Sequence, residues 1–123
     1  DRSIHALVTD LHERGMQDDV AVVVWGEMGR TPRIGTQSGT VAGRDHWPRA
    51  MSVFAAGGGL RMGQVIGATN SRAEEPVERA MDSNCLLATI YHRFGINTSS
   101  TLTDRSGRPL AILPSGEPIR ELL

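Results

Sequence analysis

Val20-Ala21-Val22-Val23-Val24-Trp25-Gly26-Glu27-Met28-Gly29-Arg30-Thr31-Pro32 is the stretch on which the fold turns. Its first six residues are β-branched or apolar without alternation. A strand of that kind is expected where both faces are buried, as in a parallel sheet covered by helices. Upstream, Ile4, Leu7, Val8 and Leu11 recur at the spacing of one helical face, and Asp10 and Arg14 can pair four apart. Gly15 supplies the stop and Gln17-Asp18-Asp19 a turn. Helix, tight turn and buried strand together predict half of an α/β repeat.

Downstream, Gly26 to Pro32 leads into a polar stretch from Arg33 to Arg44, about a dozen residues without regular pattern. In open α/β sheets the segment beyond the carboxyl end of a strand is where ligands bind, and a loop of this length is uncommon unless it has a task. Asp45-His46-Trp47-Pro48 closes it. Met51 to Ala56 reads as a second strand stopped by Gly57-Gly58-Gly59, a loop needing positive φ. Val65-Ile66 reads as a third, short strand, and the charged run from Ser71 to Ala80 as a solvated connector. Asp82 or Ser83 can cap a second helix with Leu86, Leu87, Ile90, Tyr91 and Phe94 as its buried stripe and Gly95 as its stop. The tail, with Gly107, Pro109, Pro114, Gly116 and Pro118 at turn positions, is expected to cover the domain in short strands or loops.

The chain has 123 residues and a formal charge of −1, so it is one domain or part of one, and the positive field of a nucleic-acid module is missing. The longest glycine-free apolar run, Val20 to Trp25, is too short to span a bilayer. Asp1 opens the chain without initiator Met or apolar leader, and the expectation is a segment, residues 1–123, of a longer chain. Cys85, the single cysteine, is expected to be a buried thiol. All basic residues are arginine; Arg grips anions with a planar fork, and GC-rich coding bias explains the same count.

The densest chemical constellation is Glu27, Asp45 and His46, at the ends of two predicted strands. Side by side, those strands would bring positions 27 and 46 together. A divalent cation accepts carboxylate oxygen and imidazole nitrogen of this kind, but three candidates leave a metal site short of ligands. The alternatives at these residues are an ion pair from Glu27 to Arg30 and loop hydrogen bonds to Asp45. His5 and His12 read as solvated, and His92 as a packing or capping residue. Gly57 to Gly63 fails as a dinucleotide fingerprint, because Met62 stands in the third glycine slot and no helix opens after it. No nucleophile elbow or Walker lysine occurs.

Gly26-Glu27-Met28-Gly29-Arg30-Thr31-Pro32, Gly43-Arg44-Asp45-His46-Trp47-Pro48, Ala56 to Gly59 and Gly63 to Gly67, with Ala88 to His92, Gly95-Ile96 and Gly107 to Pro109, resemble the C-terminal region of the bacterial "domain of unknown function 1501" proteins. That family resembles the alkaline-phosphatase and sulfatase superfamily. The resemblance implies the C-terminal part of a three-layer α/β fold, with a mainly parallel sheet covered by helices. It also implies hydrolysis of sulfate or phosphate esters with a divalent metal ion (Zn, Ca, Mg or Mn). By the same resemblance Glu27, Asp45 and His46 are the metal candidates, Arg30 and Arg44 would hold an anionic ester or glycan, and the nucleophile lies in the remainder of the parent chain. Met28 replaces a His or Asn ligand, which favours the alternative of a catalytically degenerate scaffold binding a glycan, anion or protein. Proteins of this kind are often exported.

Overall fold

The structure, a computed structural model, describes residues 1–35 and 41–123. The middle of the Arg33 to Arg44 loop therefore lies outside the described residues. Helix α1 spans Arg2–Glu13, followed by β1 (Ala21–Val24), β2 (Gly29–Arg30), β3 (His46–Trp47), β4 (Phe54–Gly57), β5 (Ala68–Thr69) and β6 (Pro76–Glu78). Helix α2 is Ser83–Arg93, β7 is Thr101–Thr103, β8 is Pro109–Ala111, and a 3-10 turn covers Arg120–Leu122.

Both helices end as their sequences dictate. After α1 the Gly15 N–H donates to the His12 carbonyl and the Met16 N–H to that of Leu11; after α2 the Gly95 N–H donates to His92 and the Ile96 N–H to Tyr91. These are two Schellman caps, each with its glycine at positive φ, +71° and +68°. At the start of α2 the extended Asp82 accepts the Cys85 N–H at 3.1 Å, which satisfies one of the orphan donors of the first turn.

The expected three-layer α/β architecture, a mainly parallel sheet covered by helices, does not form. Among the described residues the strands make four two-stranded sheets, all antiparallel: β1 with β4, β2 with β3, β5 with β6 and β7 with β8. A parallel pair needs a long crossover, usually a helix. The chain between β1 and β4 instead folds back through the β2–β3 pair, so β4 returns antiparallel, with Val22 opposite Ala56. The uniform apolar character of β1 reported strand formation and not strand direction. Nor is β1 buried on both faces: Val22 and Val23 are half-buried, Ala21 and Val24 exposed.

Between α1 and the β1–β4 pair runs an open groove of about 370 Å³, lined by Val8, Leu11, Val22, Ala56, Leu60 and Met62 among others. Apart from Ala56, the buried apolar residues belong to α2 (Leu86, Ala88) and to the tail (Leu113, Ile119). The core thus sits where the tail crosses α2. Thr89, 1% exposed, is the polar member of that core. Its hydroxyl donates to the Cys85 carbonyl and accepts the Ile119 N–H, both at 2.8 Å. Beyond it the tail is held by the Arg79–Glu121 fork, by the Gln64 amide on the Glu121 carbonyl, and by the Arg61 N–H on the Leu122 carbonyl.

Four local expectations are corrected. Val65 is 95% exposed and outside any strand; the pairing occurs three residues later at β5. The supposed connector Ser71–Ala80 contributes β6 of the β5–β6 hairpin, whose loop closes on the Asn70 side chain, the acceptor of the Arg72 and Glu74 N–H groups. Phe94 leaves the helical stripe and is 73% exposed, because it is the C-cap residue where the helical direction ends. Cys85 is half-buried, its place in the first turn of α2 leaving it at the margin of the core. The glycine run does adopt positive φ at Gly57, Gly58 and Gly59, and the tail does form the short β7–β8 hairpin. His5, His12 and His92 are all exposed. No described helix is long and apolar enough to cross a membrane.

Candidate functional site

The loop after β1 turns through Glu27 and Met28 into β2, where Arg30 lies directly opposite His46 of β3. Cross-strand partners project to one face of a pair. That face borders an open cavity of about 430 Å³ lined by Arg30, Gly35, Val41, Gly43, Arg44, Asp45 and His46. Four of the five residues singled out from the sequence therefore share one cavity wall.

The fifth, Glu27, stands beside it: its Oε1 lies 3.3 Å from the His46 Nε2. Both side chains are more than half exposed. Among the described residues the Glu27 carboxylate is thus partnered by His46 and not by Arg30, the ion pair that spacing alone allows. Asp45 gives both of its backbone groups to Thr31. Its carbonyl accepts the Thr31 N–H at 2.9 Å, and its N–H donates to the Thr31 hydroxyl at 3.1 Å.

The opposite face of β2–β3 is built for support. Gly29 faces Trp47, and a side chain at Gly29 would run into the Ala50 carbonyl, so only glycine lets the chain after β3 fold back this closely. The Trp47 indole N–H donates to the Glu74 carbonyl at 2.6 Å, and Arg49 pairs with Glu75 at 2.9 Å. The β5–β6 hairpin thereby buttresses the wall that carries His46. Trp47 and Thr31 escaped the sequence reading, although one signal for Thr31 was present. The residue before a proline is pushed into extended backbone, which carries Thr31 onward from β2 toward Asp45.

One oxygen donor and one nitrogen donor converge at Glu27 and His46, a pairing that suits a borderline divalent cation such as zinc. Among the described residues no group of three His, Cys, Asp or Glu side chains forms. The pair therefore fits part of a cation's shell and leaves further ligands to be supplied. Arg30 and Arg44 line the same wall, and the planar guanidinium fork of arginine can donate two hydrogen bonds to neighbouring oxygens of an anion.

Among the described residues, two helices set among antiparallel strand pairs, with an acid, an imidazole and two guanidinium groups around one open cavity, make up an α+β chain with a polar cleft. The chain belongs to the family described as protein of unknown function (DUF1501), whose model matches residues 1–123. No curated protein and no solved structure matches it.

Proposed function

We propose that this chain is the C-terminal portion of a metal-dependent hydrolase of sulfate or phosphate esters, inactive on its own. The observation that carries this reading is the Glu27–His46 approach of 3.3 Å beside the cavity wall formed by Arg30, Arg44 and Asp45. Glu27 and His46 would hold a divalent ion, with Asp45 alongside. Such an ion, when bound, supplies Lewis-acid polarisation of an ester oxygen and acidifies an attacking hydroxyl or water. Arg30 and Arg44 would bind and orient the anionic group and offset charge gathering on its oxygens. The nucleophile and remaining ligands would come from the rest of the parent chain.

A second reading, a catalytically silent scaffold that binds an anion, glycan or protein through the arginine wall, is favoured by Met28 beside Glu27 and by the convergence of two donors among the described residues where a metal centre wants three or more. Zinc titration of the chain, and ester-hydrolysis assays on the complete parent protein with sulfate and phosphate monoesters, separate the two. On the hydrolase reading Glu27→Ala and His46→Ala each weaken zinc binding by more than the roughly 10–100-fold that loss of a supporting residue costs, and the parent turns over at least one ester class. A folded parent that binds no divalent ion and hydrolyses neither ester would overturn it.

A further inference from the structure

We infer that Thr31 is a positioning residue whose hydroxyl fixes the His46 imidazole beside the Glu27 carboxylate; its consequence for a bound cation rests on the hydrolase reading above. The β2–β3 ladder consists of two residue pairs, Gly29 with Trp47 and Arg30 with His46. A ladder that short is marginal on its own. Thr31 lengthens it by two hydrogen bonds placed immediately before His46, its N–H to the Asp45 carbonyl and its hydroxyl from the Asp45 N–H. The same hydroxyl donates to the Arg33 carbonyl at 3.1 Å, which ties the start of the cavity loop to the same point. One oxygen thus serves as acceptor and donor at once, a task valine, of nearly the same shape, cannot perform.

Strand geometry converts this register lock into side-chain direction. Successive residues point to opposite faces, and Trp47 is anchored on its face by the indole bond to Glu74. With Asp45 held on one side and Trp47 on the other, His46 is left facing the cavity, at 3.3 Å from Glu27. Loss of the Thr31 hydroxyl removes two of the three hydrogen bonds that Thr31 makes here, those with the Asp45 N–H and the Arg33 carbonyl, and loosens the strand next to His46 while the Thr31 N–H to Asp45 carbonyl bond remains. The imidazole should then leave Glu27 while α2 and the tail, joined through Thr89, keep their structure.

The test compares the wild-type chain with Thr31→Val, Thr31→Ala and Thr31→Ser by NMR. The readouts are the nuclear Overhauser contact between the His46 ring protons and the Glu27 methylene protons, and the dissociation constant for Zn2+ alone. The contact should be present in the wild type and Thr31→Ser and lost in Thr31→Val and Thr31→Ala. Zinc affinity should fall roughly tenfold or more in the latter two and stay within about threefold in Thr31→Ser, the residue that keeps the oxygen. A His46–Glu27 contact that persists in the valine variant, or is missing in the wild type, overturns the proposal. Disappearance of the α2 amide signals in both the valine and alanine variants also overturns it, since Thr31 would then support the whole fold. A wild type that shows the contact, loses it on Thr31→Val and binds no zinc upholds the positioning role and removes the metal reading instead.

Discussion

Helices α1 and α2 have similar lengths, the same type of glycine cap and an apolar stripe each, yet they meet different fates. Helix α2 buries Leu86, Ala88 and Thr89 beneath the tail, whereas α1 buries none of its residues and keeps a groove of about 370 Å³ between its stripe and the β1–β4 pair. The difference lies in what crosses each helix. The tail reaches α2 with apolar side chains and also with a backbone N–H that finds Thr89 waiting. Opposite α1 the β4 strand offers only the small residues Ala56 and Gly57. Periodicity makes a helix amphipathic; burial needs a partner whose polar groups are satisfied on arrival.

A matched pair of truncations tests this contrast most directly. Leu86 is 7% exposed and Leu7 48%, so Leu86→Ala should cost about 2–4 kcal/mol by cavity formation and Leu7→Ala no more than about 0.5 kcal/mol, as for a surface site. Urea titration of both variants measures the difference; equal costs would show that the two helices are held alike. Thr89→Val comes next. It keeps the shape and strands the buried Ile119 N–H, so a loss of about 1–3 kcal/mol is expected in the same titration.

The smallest effect is acid sensitivity. The Arg79 guanidinium holds the Glu121 carboxyl down at about 2, and the Cys85 N–H holds Asp82 below the usual carboxylate range. A carboxyl whose folded value is depressed adds stability that is fully present above its unfolded value and fades as pH falls through the folded one. Tm should therefore decline from about pH 5 toward pH 2, and less steeply in Glu121→Gln. Both Arg79 and Glu121 are partly open to solvent, so the stability lost in acid should be small, and smaller still in high salt.

The same contrast explains what the sequence disclosed. Helix α1, helix α2 and both glycine stops are governed by neighbours within a few residues and were legible, and the cap of α2 was narrowed to Asp82 or Ser83, of which Asp82 takes the role. Strand partners were not: the run Val20 to Trp25 announces a strand, but the antiparallel return of β4 depends on how residues 25–53 fold between them. The β5–β6 hairpin hid inside a charged segment because its turn is set by one side chain, Asn70, and not by hydrophobic pattern. Thr89 was invisible for a related reason, since a polar residue enters a core only when distant partners satisfy it. At the candidate site, residue chemistry singled out Glu27, His46, Arg30, Arg44 and Asp45, and four of these share a cavity wall with the fifth beside it. The supporting contacts from Thr31 and Trp47 were not legible, because they are made across 14 and 27 residues of chain.

The indole of Trp47 gives the molecule an optical reporter of its own. The chain has two tryptophans, and Trp25 sits 46% exposed at the end of β1 while Trp47 is half-buried and next in sequence to His46. In a Trp25→Phe background the emission of a single fluorophore would report whether the buttress behind His46 stays in place, and it would do so without a dye, a label or an assay for turnover.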